Sequence, residues 1–145
     1  MTLERFRWWH IAEVLPIEED LFGAEKWSAA MFWNELATRR FYQIFSEQDQ
    51  ILGYAGLSVV DADESWVQNI AVRRDAQKRG VGRTLLEALL AEAAAQGSRR
   101  TLLEVAVDNE PAQRLYARYD FEPVGIRRGY YQPSNTDALV MMRSA

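Results

Sequence analysis

The 145-residue sequence contains no cysteine and only one histidine. Without cysteine the chain has no disulfide, no thiolate metal site and no cysteine nucleophile, and a reducing compartment is expected. No uncharged apolar run approaches the roughly 18 residues that span a membrane. The opening segment MTLERFRWWH has charges and aromatic rings where a signal peptide has an apolar core. The sequence therefore predicts a cytoplasmic protein that does not bind a membrane.

The scarcity of histidine and cysteine also limits the chemistry. His10 lies among the aromatic residues of the first predicted strand, and we interpret it as structural. With no cysteine and no second histidine, the chain lacks a good nucleophile for a covalent intermediate or a serine triad. Any reaction that the protein catalyses is therefore expected to proceed directly between bound substrates and not by a covalent route. No cluster of metal ligands is visible in the sequence, so no metal is expected.

The net charge of −4 does not indicate a nucleic-acid-binding protein. Positive charge is nevertheless concentrated in one segment, residues 73–83. Its basic residues are Arg73, Arg74, Lys78, Arg79 and Arg83. A local anion site on an acidic protein explains this pattern, and a solvated charged loop is the alternative.

The periodicity of apolar residues predicts one α/β (α+β) domain over residues 1–145, because no linker or repeat divides the chain. A mixed, mostly antiparallel sheet flanked by helices is expected, with a βαβ unit in its middle. The predicted strands cover residues 3–9, 41–47, 51–60, 65–72, 101–107, 121–128 and 137–142. The predicted helices cover residues 10–21, 26–40, 80–96 and 110–119.

The segment VQNIAVRRDAQKRGVGRTLLEALL runs from a strand through basic residues and Gly80-Val81-Gly82 into a long helix. Glycine permits positive φ and close backbone approach, and a helix N-terminus presents unpaired N–H groups and partial positive charge. Together they predict a phosphate cradle. A Walker A loop would require glycine at Gln77, and a Rossmann fingerprint would require glycine at Leu85, so neither nucleotide motif is present. A helix start with chance glycines is the alternative.

The segment Gln77-Lys78-Arg79-Gly80-Val81-Gly82 resembles the pyrophosphate loop of the GCN5-related N-acetyltransferase (GNAT) superfamily, and the element order resembles that fold. The segments NIAV, LLEVAVDNEPAQRLYARYDF and IRRGYYQPSNTDALVMM look like the bacterial ribosomal-protein-alanine N-acetyltransferases of that superfamily. The resemblance implies acetyl-CoA as co-substrate. It also implies that the cofactor-binding residues are Ile70, Ala71, Val72, Lys78, Arg79, Gly80, Val81, Gly82, Arg83 and Asn109.

The same resemblance assigns two catalytic residues, Glu104 as general base and Tyr116 as the acid that protonates the departing sulfur. Strand alternation places Glu104 on one face with Leu102 and Ala106, although an exposed edge-strand glutamate is the alternative. Asn109 and Tyr116 share a helix face. A helix cap and a core aromatic ring, respectively, are their alternative interpretations.

The resemblance also implies an acceptor, the N-terminal amine of a protein or peptide, with the N-terminal alanine of a small-subunit ribosomal protein as the expected example. Trp27, Tyr130 and Tyr131 are expected to line the acceptor slot, with both tyrosines in a loop before Pro133. The acidic first helix, with Glu18, Glu19 and Asp20, is expected to favour basic peptides. A monomer is expected.

Two departures from the family pattern bear on these expectations. Ala106 stands where the family usually has arginine, which leaves acceptor specificity open. Asp120 stands where it usually has glycine, and aspartate tolerates a left-handed helix end. Other functions remain open. One is acetylation of a small amine or of a wider range of peptides, since a fold does not choose its substrate, and another is a non-catalytic acyl-CoA sensor. A sensor would not need both Glu104 and Tyr116.

Overall fold

A computed structural model describes residues 2–38 and 40–144, and in these residues seven strands form one sheet with four α-helices around it. The strands are β1 (Thr2–Arg5), β2 (Phe41–Glu47), β3 (Gln50–Val59), β4 (Glu64–Val72), β5 (Arg100–Ala106), β6 (Glu122–Tyr131) and β7 (Thr136–Ser144). The helices are α1 (Ile11–Phe22), α2 (Ala29–Ala37), α3 (Val81–Ala95) and α4 (Glu110–Arg118). The predicted order of elements is confirmed.

The sheet is mostly antiparallel, as predicted. Its strands lie in the order β1-β2-β3-β4-β5-β7-β6, and β4 and β5 form the parallel pair that the βαβ unit requires. Hairpins join β2 to β3 and β6 to β7. The crossover helix α3 therefore connects the two strands at the centre of the sheet.

Local sequence explains where the helices begin and end. The side chain of Ser28 accepts a hydrogen bond from the backbone N–H of Met31 at 3.3 Å, which caps α2. Gly80 precedes α3 with φ of +83°, a left-handed conformation that favours glycine. Asp120 follows α4 with φ of +67°, so the predicted left-handed aspartate is confirmed.

Within the described residues, none of the helices combines the length and apolar character needed to cross a membrane.

Two apolar clusters pack against the two faces of the sheet. Neighbouring residues of one strand belong to different clusters, because their side chains point to opposite faces. In β2, for example, Ile44 belongs to one cluster and Phe45 to the other. The cluster beneath α3 includes Leu85 and Leu89, both fully buried. Burying such a side chain stabilises the fold by about 1.5–3 kcal/mol. The sheet is thus covered on both faces, and the helices are fixed against it.

Several predicted boundaries were wrong. β1 ends at Arg5 rather than residue 9, because Trp8–His10 form a short 3₁₀ turn. In that turn the Nδ1 atom of His10 accepts a hydrogen bond from the backbone N–H of Arg7 at 2.8 Å, which agrees with a structural role. α2 spans Ala29–Ala37 only, and residue 39 of the predicted helix lies outside the described residues. β6 continues to Tyr131 instead of ending at residue 128.

The central parallel strands separate after a short paired region. β4 and β5 pair at Glu64↔Arg100, Ser65↔Thr101 and Trp66↔Leu102, and no further pairing between them occurs in the described chain. β4 also has a bulge, because Gly56 pairs with Asn69 and Leu57 with Val67, which leaves Gln68 unpaired. A cleft therefore opens between the carboxyl-terminal halves of β4 and β5.

The packing of Tyr42 over Gly56 generates a stability prediction. A Cβ atom at Gly56 would lie 2.1 Å from Cζ of the fully buried Tyr42, so Gly56→Ala should lower the free energy of unfolding by about 1–3 kcal/mol. Gly125→Ala is the control, since nothing lies within 4 Å of its Cβ position. Urea denaturation of both variants measures the difference. Equal stability of the two variants would contradict this account of the packing.

Candidate active site

Two adjoining cavities occupy the cleft between β4 and β5, with volumes of about 690 Å³ and about 460 Å³. The residues that line both are Glu25, Trp27, Val67, Gln68, Glu104 and Tyr131. These shared walls make the cavities neighbouring compartments of one cleft. A ligand in one compartment can therefore meet a ligand in the other.

Glu104 lies at the junction of the two compartments. It projects from β5, which lies between β4 and β7 in the sheet, at a position beyond the last β4–β5 pair. The alternative of a solvent-exposed edge-strand glutamate is wrong, because the side chain is largely buried. Its side chain is only 13% exposed. Its Oε1 lies 3.4 Å from Nε of Arg127, whereas its buried Oε2 has no hydrogen-bond partner in the described chain. This carboxylate thus has one oxygen whose hydrogen-bonding capacity the described residues leave unused.

The smaller cavity brings Glu104 together with Ile70, Asn109 and Tyr116. Tyr116 is 5% exposed and packs edge-on against Phe121 with ring centroids 5.9 Å apart, so the core interpretation describes its ring correctly. Burial raises the pKa of the Tyr116 phenol above its ordinary value. At neutral pH the phenol that lines this cavity is therefore protonated.

Asn109 serves as the helix cap that was its alternative interpretation. Its side-chain oxygen accepts a hydrogen bond from the backbone N–H of Ala112 at 3.3 Å, at the start of α4. The same residue lines the smaller cavity. Its cap therefore fixes the helix that carries Tyr116 toward that cavity.

The larger cavity contains all three residues predicted for the acceptor slot, Trp27, Tyr130 and Tyr131. The prediction that both tyrosines lie in a loop was wrong, because they end strand β6. Their rings are edge-to-face with centroids 5.1 Å apart. Burial, with the neighbouring Glu104 carboxylate, raises the pKa of Tyr130 to about 12. Both rings are thus held on a strand, next to the carboxylate.

The acidic residues of α1 do not form a free negative surface, contrary to the sequence expectation. Glu18 is 1% exposed and accepts hydrogen bonds from Tyr54, Asn69 and the backbone N–H of Trp27. Glu19 pairs with Lys26. Asp20 pairs with Arg74 at 3.1 Å. Glu18 is therefore not at the surface, and cations offset the charges of Glu19 and Asp20, so α1 gives no reason to expect basic peptides.

The glycine loop keeps its backbone accessible at the start of α3. A Cβ atom at Gly82 would lie 3.4 Å from Val72 and 3.7 Å from Leu115, which is ordinary contact. Packing therefore does not require glycine here, and the backbone of Gly82 is open to the approach of a ligand. The side chain of Val81 is buried in the core, so this residue offers a ligand only its backbone. Unpaired N–H groups at this helix start suit a phosphate.

Most cations of the predicted basic cluster already have acidic partners. Arg79 pairs with Glu47 at 2.8 Å, and Arg83 pairs with Glu87 at 3.3 Å. Lys78 makes no ion pair within residues 2–38 and 40–144. Exposed pairs of this kind contribute about 0–1 kcal/mol. An incoming phosphate can therefore compete for these side chains at small cost.

Strand β4 offers an open edge beside this loop. Ile70, Ala71 and Val72 pair with β3 on one side, and in the described chain β5 does not pair with them on the other. The Gln77 side chain donates a hydrogen bond to the carbonyl of Val72 at 3.1 Å and so fastens the loop to the strand. An extended ligand arm can add to such an edge as a further strand. The residues present therefore fit acetyl-CoA, with phosphates at the loop and the arm along β4.

Comparison with known proteins agrees with this geometry. Residues 4–121 match the acetyltransferase (GNAT) family. The chain belongs to this family. An N-alpha-acetyltransferase RimI from Mycobacterium tuberculosis is 37% identical over 134 residues, which cover 89% of this chain and 83% of the relative. A [ribosomal protein bS18]-alanine N-acetyltransferase from Salmonella typhimurium is 36% identical over 117 residues, 79% of this chain and 78% of that protein.

A solved structure of the ribosomal-protein-S18-alanine N-acetyltransferase from Escherichia coli has the same fold. It superposes with a TM-score of 0.89 at 30% identity, covering 99% of this chain and 92% of that one. The GNAT fold expected from the sequence is thus confirmed. The chain is an N-acetyltransferase, so the sensor alternative is withdrawn.

Sequence reasoning missed several residues of this GNAT site. Gln68 and Glu25 line both cavities, and Arg127 and Trp66 line the larger one. Alternation of apolar residues in β4 would not reveal Gln68, because the bulge displaces it from the regular pattern. The placement of Arg127 at the cavity depends on the register of β6 against β7, which cannot be derived from one sequence.

The open backbone at Gly82 generates a binding prediction. Gly82→Asp should abolish acetyl-CoA binding, because a carboxylate would occupy the anion cradle and repel phosphate. Gly82→Ala is the matched control, because its Cβ atom would make only ordinary contacts and the methyl group adds no charge. Acetyl-CoA should raise the melting temperature of the wild type and of Gly82→Ala, by mass action, but not that of Gly82→Asp. Normal binding by a folded Gly82→Asp variant would show that the loop has been misassigned.

Proposed function

We propose that this enzyme transfers the acetyl group of acetyl-CoA to the α-amine of a small-subunit ribosomal protein that begins with alanine. The observation that carries this proposal is the position of Glu104 between two compartments. One compartment contains a buried phenol and adjoins the open β4 edge, and the other contains the aromatic residues of the slot. The names of the Salmonella and Escherichia coli relatives support the choice of acceptor.

The donor is bound mainly through backbone groups. The N–H groups at Gly80 and Gly82 and the exposed Lys78 would bind its phosphates, and the open edge at Ile70–Val72 would pair with its pantetheine arm. One N–H group of that edge would also stabilise the oxygen of the reacting carbonyl. When bound, acetyl-CoA supplies an acetyl group activated as a thioester.

Glu104 and Tyr116 supply the proton transfers. A free α-amine has a pKa of about 7.7–8.0, so a positioned carboxylate can take its proton near neutral pH, directly or through one water. As the amine nitrogen bonds to the acetyl carbon, the carbon–sulfur bond breaks and Tyr116 donates its proton to sulfur. Glu104 then loses its acquired proton to water, and Tyr116 regains one.

The aromatic slot favours a chain end over an internal side chain. Trp27 faces the cavity from the segment before α2, while Tyr130 and Tyr131 line it from β6. A free N-terminus can insert its small first side chain past these rings. An internal lysine brings flanking backbone on both sides, which collides with them.

The first test concerns the chemical roles of Glu104 and Tyr116. Glu104→Gln keeps the shape and removes the base, so turnover should fall roughly 10²–10⁴-fold while acetyl-CoA affinity is retained. Tyr116→Phe should act similarly through the leaving sulfur. Glu122→Gln is the control, because Glu122 is exposed on β6 and lines neither cavity. Steady-state kinetics measure turnover, and undiminished turnover in either variant would remove that residue from its role.

The second test concerns the acceptor. A peptide that begins with alanine should outcompete the same peptide carrying a blocked N-terminus and an internal lysine. Tyr131→Ala should weaken this preference without reducing acetyl-CoA binding, whereas Trp33→Ala, an exposed aromatic residue outside both cavities, should not. Mass spectrometry of a mixed-peptide reaction measures the preference. Equal labelling of the blocked peptide, or labelling of small amines alone, would contradict the proposal.

A further inference from the structure

Arg127 is a charged residue of the acceptor cavity that the proposed chemistry does not yet use. Its Nε lies 3.4 Å from Oε1 of Glu104. Its guanidinium carbon lies 5.7 Å from the ring centroids of both Trp66 and Tyr130. Rings at this distance attract a cation. The guanidinium is therefore held beside the carboxylate that receives the amine.

The register of three strands explains how Arg127 reaches Glu104. Ala106 on β5 pairs with Ala138 on β7, and Ala138 pairs with Arg127 on β6. Paired residues share a face of the sheet, and Glu104 shares that face with Ala106. Both alanines are small, so the long side chain of Arg127 can cross them toward the carboxylate.

The contact has a consequence for the acceptor amine. A carboxylate alone would stabilise the ammonium form of a bound amine and so retain the proton that the reaction must remove. A cation next to that carboxylate reduces this effect. We propose that Arg127 partly balances the charge of Glu104, so that the bound acceptor ammonium gives up its proton more readily. The inference rests on the proposed function. Arg127 would act through Glu104 and would not itself contact the reacting atoms.

The remaining titratable groups around this cavity do not replace Arg127. They are carboxyl and phenol groups. They come from α1, the segment between α1 and α2, the turn between β5 and α4, α4 itself and β6. Those that line either cavity are Glu18, Glu25, Asp108, Tyr116, Tyr130 and Tyr131. None of them supplies positive charge, so Arg127 is the cation among the residues described around the cleft.

The exposure of Arg127 limits the size of the effect. Its side chain is 52% exposed, so solvent screens part of its charge. The carboxylate partner is 13% exposed, and screening is weaker there. Removing the cation should therefore raise the pKa of the bound amine by about half a unit to one unit.

The pH dependence of kcat for an alanine-starting peptide tests the inference. Since kcat reports groups in the bound complex, Arg127→Gln should move its midpoint upward by about half a unit to one unit. At pH 6.5 kcat and KM should fall together, about three- to tenfold, because the bound ammonium is stabilised without reacting. Arg127→Lys should restore the wild-type midpoint. Arg128→Gln, which removes the neighbouring exposed charge on the other face of β6, should leave it unchanged.

The outcomes separate this inference from the proposed function. A wild-type enzyme that is silent on the peptide would contradict the proposed function itself. If the wild type is active and Arg127→Gln keeps the wild-type midpoint, the inference is overturned. A fall in kcat with unchanged or raised KM would also overturn it, because loss of geometry alone would give that result. Melting temperature and acetyl-CoA binding confirm that each variant is folded.

Discussion

The separation of β4 from β5 is the constraint on which the site depends. Pairing of the two strands stops after Trp66 and Leu102, although both strands continue. Sheets normally satisfy their backbone groups by pairing, so an open edge inside a sheet is useful only where another chain or ligand can pair with it. The apolar cluster under α3 stabilises the sheet around the gap, and the bulge at Gln68 redirects β4 beside it. The packing of the surrounding fold therefore maintains the cleft.

Two carboxylates near this cleft show how environment separates structure from chemistry. Glu18 is buried and accepts hydrogen bonds from three donors. These hydrogen bonds join α1 to β3, β4 and the segment at Trp27. Glu104 has an ion pair at one oxygen and a buried, unpartnered second oxygen. Buried polar groups are normally hydrogen-bonded. The unpartnered atom therefore distinguishes Glu104 from Glu18, whose hydrogen bonds serve the fold.

Local patterns allowed the element order, the glycine loop and the face of Glu104 to be predicted. These features depend on residues near one another in the chain: the apolar rows of α3, the alternation of β5 and the glycines at Gly80 and Gly82. The errors depend on distant contacts. The expectation that Glu18 attracts basic peptides was wrong because its partners Tyr54 and Asn69 are far away in sequence. The positions of Tyr131 and Arg127 follow from the β6–β7 register. Hydrophobic periodicity does not specify register between strands that have two partly polar faces.

A crystal structure with a bisubstrate analogue, in which CoA is joined covalently to an alanine-starting peptide, tests the central claim most directly. The account predicts that the pantetheine arm pairs with β4 at Ile70–Val72 and passes between β4 and β5. It also predicts that the peptide nitrogen lies within hydrogen-bond reach of Glu104, directly or through one water, and that sulfur lies beside the Tyr116 hydroxyl. The peptide should leave past Tyr130 and Tyr131. An arm bound outside the cleft, or a nitrogen remote from Glu104, would contradict the account.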